Sequence, residues 1–275
     1  MTTQSYYLPQ SVGEATDLLA EHGPTLLVMA GGTIAMPLIN EGISLPERVM
    51  GLRQAGLNYV DRSNGVVRIG ATTTLTEMLT QEEIPLLGQA AHQVGGWAIR
   101  NMGTVGGNLF APPPAGDFAV ALLALDAQVK LVGKDSERTL PLAEFYTGFM
   151  TTALAPGELV AEILMPVPQG KTVYVKHGRR QANTPAVVSL AAHLVFDGVT
   201  VEDARIALNA VGPHPLRAAK AEAVLVGSEL NDTTIAAAAA AAEECEPFTD
   251  PIASEWYRRK MVDVYVRRAL AQVTG

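Results

Sequence analysis

The chain has 275 residues and carries 20 Lys and Arg against 28 Asp and Glu, a net charge of −8, which is room for one large domain or two modest ones of the usual ~150 residues. A surface of that sign repels nucleic acid and anionic membrane, and 48% hydrophobic residues against 17% charged are too apolar a mix for a disordered chain. The single cysteine, Cys245, excludes an internal disulfide framework and any cysteine-only zinc or iron–sulfur site made by this chain alone.

The opening residues carry neither the basic stretch nor the apolar run of a signal peptide, and no apolar run approaches the ~20 residues of a membrane span. A cytoplasmic protein is therefore expected. Ser11 followed by Glu14 resembles a capping box, and Val12, Ala15, Leu18 and Leu19 predict a short amphipathic helix stopped at His22-Gly23-Pro24. Thr25 to Ala30 reads as a buried strand broken at Gly31-Gly32-Thr33. Val49 to Leu52 and Val66 to Gly70 follow as strands, the second after a Ser63-Asn64-Gly65 turn. Helices are expected from Thr74 and from Leu86, the latter ending at Gly95-Gly96. A glycine-rich stretch, Ile99 to Leu109, then leads past a proline cluster to a helix from Asp117 to Leu125. Strands at Ala127 to Val132 and Gly157 to Met165 complete this half.

Pro166-Val-Pro-Gln-Gly170 favours neither helix nor strand and is the candidate domain boundary. Beyond it, strands are expected at Thr172 to Lys176, Ala186 to Phe196 and Ala204 to Val211. Helices are expected at Leu216 to Val226, Thr233 to Glu244 and Ser254 to Val273, with Met261, Val264, Tyr265 and Ala269 marking one face of the last. Strands followed by helices suggest a smaller α+β domain. The clusters Arg258-Arg259-Lys260 and Arg267-Arg268 read as a solvated or partner-facing surface.

Common nucleotide, hydrolase and zinc signatures (Gly-x-Gly-x-x-Gly, a Walker lysine loop, Gly-x-Ser-x-Gly, His-Glu-x-x-His) do not occur in the sequence. The five histidines lack metal-ligand spacing. What remains is a pair of glycine loops, Ala30-Gly31-Gly32-Thr33 and Thr104-Val105-Gly106-Gly107-Asn108. Each is either a tight turn or a backbone hollow that admits a phosphate without a Cβ in the way, and two such hollows suit a diphosphate. Asp117, at a helix start, either caps that helix or accepts hydrogen bonds from the hydroxyls of a dinucleotide. Lys176, with Arg179 and Arg180, is either an exposed basic turn or a reach from the second domain to a cofactor held by the first.

Ala30 to Thr33 after a strand, Ile69-Gly-Ala-Thr-Thr-Thr-Leu75, Ile99 to Leu109 with Asp117 shortly after, and Trp256-Tyr-Arg-Arg-Lys-Met261 together resemble the FAD-binding medium subunit of molybdenum hydroxylases. That family includes the carbon monoxide dehydrogenase medium subunit and the flavin domain of xanthine dehydrogenase. The resemblance spans essentially the whole chain and implies an α+β protein. A vanillyl-alcohol-oxidase-type FAD-binding domain (1–168, with α/β subdomains about 1–55 and 56–168) would precede a smaller C-terminal domain of antiparallel sheet plus helices (169–275).

The resemblance further implies that Ala30, Gly31, Gly32, Thr33 and Ile34, with Thr104, Val105, Gly106, Gly107 and Asn108, cradle the FAD pyrophosphate. Asp117 would bind the hydroxyl-bearing chain, Val160 would line the cofactor and Lys176 would touch the flavin. A large subunit with the molybdopterin cofactor and a small subunit with [2Fe–2S] clusters are implied as partners in a dimer of heterotrimers, this chain's FAD passing electrons to an external acceptor. Ile34 departs from the acidic or hydroxyl residue of many relatives, and Thr184 falls near where some place an aromatic residue over the flavin. The alternatives are a cofactor-free scaffold of the same assembly, which would be colourless, and a self-contained flavin oxidoreductase, which would turn over alone.

Overall fold

The computed structural model describes residues 3–113, 115–242 and 245–274. The chain begins with β1 (Ser5–Tyr7), α1 (Val12–His22), β2 (Leu26–Met29), α2 (Ala35–Asn40) and β3 (Arg48–Gly51). The strands form a parallel sheet in the order β1-β3-β2. Helix α1 starts where its cap is written: the Ser11 side chain accepts from the Glu14 amide, while the Glu14 carboxylate takes the Gln10 amide, one residue earlier than in a standard capping box. It stops at Gly23, whose φ of 54° few other residues adopt without strain. Ala15, Leu19, Leu26, Met50 and Leu52 form a small core with Leu159 and Ala161 of a later strand.

Next come β4 (Val60–Ser63), β5 (Val66–Gly70), α3 (Leu75–Met78), α4 (Pro85–Gln93), α5 (Trp97–Met102), α6 (Val105–Asn108), α7 (Asp117–Ala124), β6 (Gln128–Val132), β7 (Glu137–Pro141), α8 (Leu142–Phe145), β8 (Tyr146–Gly148), β9 (Thr151–Thr152) and β10 (Leu159–Pro166). Asn64 (φ 53°) and Gly65 (φ 75°) make the expected turn between β4 and β5. The main sheet is antiparallel, ordered β4-β5-β10-β6-β7. Strand β10 is bulged between Val160 and Glu162, and the Ala161 carbonyl in the bulge accepts the Ala71 amide at 2.9 Å. Where the sequence suggested only a glycine-rich loop from Ile99 to Leu109, two short helices, α5 and α6, are folded.

Every residue of α7 is buried. This follows from a sequence that is apolar on all sides after Asp117. Each fully buried Leu or Val there contributes about 1.5–3 kcal/mol, and the helix joins the core around Phe118, Leu122 and Phe145.

The remainder is β11 (Lys171–Gly178), β12 (Ala186–Asp197), β13 (Thr200–Asn209), β14 (Leu216–Arg217), α9 (Ala219–Leu225), α10 (Asp232–Ala241) and α11 (Glu255–Thr274). The four strands form an antiparallel sheet in chain order. Helix α7 packs on β12 and β13, while α9, α10 and α11 cover the other core of this sheet. Leu216 and Arg217, expected to open a helix, instead pair with Leu208 and Ala207 as an edge strand. Glu243 and Glu244, the expected end of α10, lie outside the described residues.

The terminal helix also corrects the reading of its face. Arg258, Val262, Val266, Ala269, Leu270 and Val273 are its buried stripe, so Arg258 does not belong to a solvated basic patch. It is fully buried. Its guanidinium donates to the carbonyls of Ala186, Val187 and Ala210 at 3.3, 2.8 and 2.9 Å and to Asp250 at 2.8 Å, as a buried cation must.

Candidate functional site

The two glycine loops touch. β2 ends before Ala30, and the chain turns so tightly against α5 that a Cβ on Gly31 would overlap the Met102 carbonyl oxygen and lie 2.7 Å from its carbon. Gly32 follows with a φ of +73°, the left-handed region that favours glycine. On the opposing loop, a Cβ on Gly106 would meet Ala71 at 2.7 Å, and one on Gly107 would sit 2.8 Å from Thr104 Oγ1 and 3.8 Å from the Ala30 methyl. These glycines let the backbones pack more closely than any side chain would allow.

The loops differ in what their amides can still do. The amides of Val105, Gly106, Gly107 and Asn108 already donate to Thr73 O, Ala71 O, Thr104 Oγ1 and Thr104 O, all at 2.9–3.1 Å. In the loop after β2, among the described residues, the first amide to find a loop or helix acceptor is that of Met36, on Gly32 O at 2.9 Å. Among the described residues, the unspent donors of the pair therefore lie at Gly31 to Ile34, while those of the second loop are taken up within the protein. The motif Ile69 to Leu75 holds that second loop. Thr74 forms an isolated bridge with Thr104 and caps α3 in a capping box with Glu77. Thr73 Oγ1 accepts from and donates to the backbone of Tyr59.

Asp117 and Lys176, 59 positions apart in the chain, meet. Lys176 Nζ lies 2.6 Å from Asp117 Oδ2, and both side chains are buried, 5% and 4% exposed. Asp117 opens α7 without capping it: the N-cap is Gly116, and no side-chain cap bond is made. Its carboxylate turns instead to the C-terminal sheet. Ser189 Oγ, from the middle of β12, donates to Oδ1 at 3.0 Å. The Tyr174 hydroxyl, on β11, stands 3.4–3.5 Å from the Asp117 carbonyl and Oδ1. Lys176 also donates to the Gln93 carbonyl at the end of α4, at 3.1 Å.

Burial pushes the Asp117 carboxyl above the usual aspartate range, opposed by the Lys176 ammonium and by the Lys176, Ser189 and Tyr174 hydrogen bonds. Desolvation, then the Asp117 charge, drives the Tyr174 hydroxyl well above 10, so it stays protonated and available as a donor.

The other expected positions fall around this centre. Asn108 Oδ1 accepts the Phe118 amide at 3.1 Å, tying the second loop to the first turn of α7. Val160 is 5% exposed and packs in the main core beside the bulge of β10. Ile34 is 37% exposed at the start of α2. Arg179 and Arg180 are exposed and stand apart from the buried Lys176. Sequence reasoning missed Ser189, Tyr174 and Gln93. Ser189 carried a signal, as a hydroxyl in the middle of the apolar run from Ala186 to Phe196.

Two side-chain-free turns in contact, one of them with amides that find no acceptor among the described residues, and a buried carboxylate–ammonium pair fit a dinucleotide of the flavin class. Residues 2–168 match the FAD binding domain in molybdopterin dehydrogenase, and residues 173–273 match the CO dehydrogenase flavoprotein C-terminal domain. The chain belongs to the family of FAD-binding medium subunits of molybdenum hydroxylases. It is 33% identical over 98% of both chains to the glyceraldehyde dehydrogenase medium chain of Sulfolobus acidocaldarius. It is 31% identical to the carbon monoxide dehydrogenase medium chain of Hydrogenophaga pseudoflava, over 96% of this chain and 95% of that one. A solved carbon monoxide dehydrogenase from the same organism, lacking the Mo-pyranopterin moiety of its cofactor, superposes with a TM-score of 0.94 at 32% identity, covering 98% and 97% of the two chains.

Proposed function

We propose that this chain is the electron-transferring FAD subunit of a heterotrimeric molybdenum hydroxylase. It would take electrons from a small [2Fe–2S] subunit and pass them to an external acceptor, while a large molybdopterin subunit oxidises the substrate. In this reading the division at residue 168, with subdomains meeting near residue 55, separates the FAD-binding domain from the C-terminal domain. The turn from Gly31 to Ile34, whose amides find no acceptor among the described residues, carries the reading, because such a turn can take an anionic group on its free N–H donors.

Ala30 to Ile34 would hold the pyrophosphate with their amides, and Thr104 to Asn108 would wall it from the other side. Asp117 would accept from the hydroxyl-bearing chain, and Lys176 would place a positive charge at the flavin. Val160 would support the bulged strand behind it. Bound FAD supplies one- and two-electron chemistry; the chain's residues bind it, orient it and exclude water. The names of the relatives above differ in substrate, glyceraldehyde in one and carbon monoxide in another, which agrees with substrate choice lying on the large subunit. A dimer of such heterotrimers in the cytoplasm completes the proposal.

The test is spectroscopic. The full chain, stripped of cofactor and incubated with FAD, is expected to bind it and show a protein-bound flavin spectrum. In the reconstituted complex that spectrum is expected to bleach when substrate is added. A chain that stays colourless overturns the reading, and a flavin that never bleaches overturns the electron-transfer role.

A further inference from the structure

Ser189 is buried completely on β12, the strand next to the one that carries Lys176. Its hydroxyl donates to Asp117 Oδ1 across the boundary between the two halves of the chain, 72 positions away in sequence. A carboxylate offers about four acceptor directions. Lys176 takes one on Oδ2, and Ser189 and, at longer range, Tyr174 take two on Oδ1. Among the described residues, one direction is left over. The ammonium of Lys176 has three donors, of which two are engaged, by Asp117 and the Gln93 carbonyl. Among the described residues, one donor is left there as well.

We propose that Ser189 is a positioning residue: by holding Oδ1, it turns the Asp117 carboxylate so that its last acceptor direction and the last donor of Lys176 face the cofactor together. The proposal rests on the assignment of Asp117 and Lys176 to FAD. Burial costs the ionised carboxylate its hydration, and each hydrogen bond returns part of that cost. Removing Ser189 therefore weakens the carboxylate twice, through its orientation and through its charge. The charged or titratable groups that face it are Lys176 and Tyr174 from β11. The partners from β12 and α4, Ser189 and the Gln93 carbonyl, are neutral.

The experiment compares the full chain with Ser189→Ala, Ser189→Cys and Asp117→Asn. Each is stripped of flavin and titrated with FAD by fluorescence between pH 5 and 8, and the thermal midpoint of each apoprotein is measured alongside. Ser189→Ala is expected to weaken FAD about ten-fold, the scale of a lost hydrogen bond to a charged group. It should also move the pH below which affinity falls to a higher value, because the carboxylate now protonates more easily. Ser189→Cys, with a weaker donor in nearly the same volume, is expected to fall between the two. A lower thermal midpoint for Ser189→Ala with FAD affinity and its pH profile unchanged, while Asp117→Asn loses affinity, overturns the positioning role and leaves the Asp117 assignment standing. Unchanged affinity in Asp117→Asn as well overturns the assignment itself, and the proposal with it.

Discussion

The α-carbon of Gly31 lies against the carbonyl of Met102, so that any side chain at 31 must displace main chain and not a flexible tip. Gly31→Ala is therefore expected to fold yet to separate the two loops, weakening FAD by about ten-fold or more, ~1.4 kcal/mol for each factor of ten. Titration with FAD checks this, and wild-type affinity in the folded variant would contradict the cradle. Gly32→Ala is the milder comparison. Its added carbon would approach the flexible Met29 side chain at 3.2 Å, and the main cost is the positive φ of +73°, about 1–2 kcal/mol.

Thr104 holds the opposing loop in shape by accepting the Gly107 amide at 3.1 Å. Thr104→Ala is expected to lower stability by about 1 kcal/mol, the usual worth of such a cap. The drop should appear in urea melts, with a smaller loss of FAD affinity than in Gly31→Ala, since the turn from Gly31 to Ile34 is left in place.

Arg258 is expected to be the most sensitive position outside the cleft. Arg258→Met keeps the length of the side chain but leaves the carbonyls of Ala186, Val187 and Ala210 and the Asp250 carboxylate without its donors. A loss of about 3–5 kcal/mol is expected from breaking a buried pair on one side only. Denaturant unfolding should show it, and a loss under ~1 kcal/mol would mean that water replaces the guanidinium at little cost.

His177, next to Lys176 on β11, offers a pH prediction. Burial, and then the Arg268 guanidinium, hold its pKa below the ordinary 6.5. Its ring nitrogen lies 3.0 Å from the Tyr257 hydroxyl, and its ring stacks on Tyr265 at 5.0 Å. A depressed histidine pKa favours the neutral form in the folded state. Its contribution to stability is thus complete above about 6.5 and is lost as pH falls through the folded value. An NMR titration of His177 is expected to give a midpoint below 6.5, moving upward in Arg268→Gln; a midpoint unmoved by that substitution would remove the arginine from the account.

The glycine loops were legible in the sequence because the need for glycine is local: a close backbone approach or a positive φ leaves its mark at the residue itself. The spare amides of Gly31 to Ile34 and the spent ones of Val105 to Asn108 were not, since that difference depends in part on Ala71 and Thr73, which lie outside either glycine loop. Asp117 and Lys176 could be singled out one at a time, but their contact is made by the folding of β11 onto α7, and no periodicity records it. Arg258 misled because three successive basic residues look solvated. The spacing of Arg258, Val262, Val266 and Leu270 places it on the apolar stripe, one residue off the face that Met261 and Tyr265 suggested. Resemblance across the whole chain supplied the order of the domains that these local signals could not.

The meeting of Asp117 with Lys176 also sets a timetable for biogenesis. A ribosome that has delivered only the first 168 residues has released both glycine loops and the carboxylate, but neither the ammonium nor Ser189. Such a nascent chain lacks the partners that hold the Asp117 carboxylate, so, with Asp117 and Lys176 seating the flavin as proposed, complete capture would wait for the translation of β11 and β12. A chain ended between them would lack Ser189 and with it one of the donors that hold the Asp117 carboxylate.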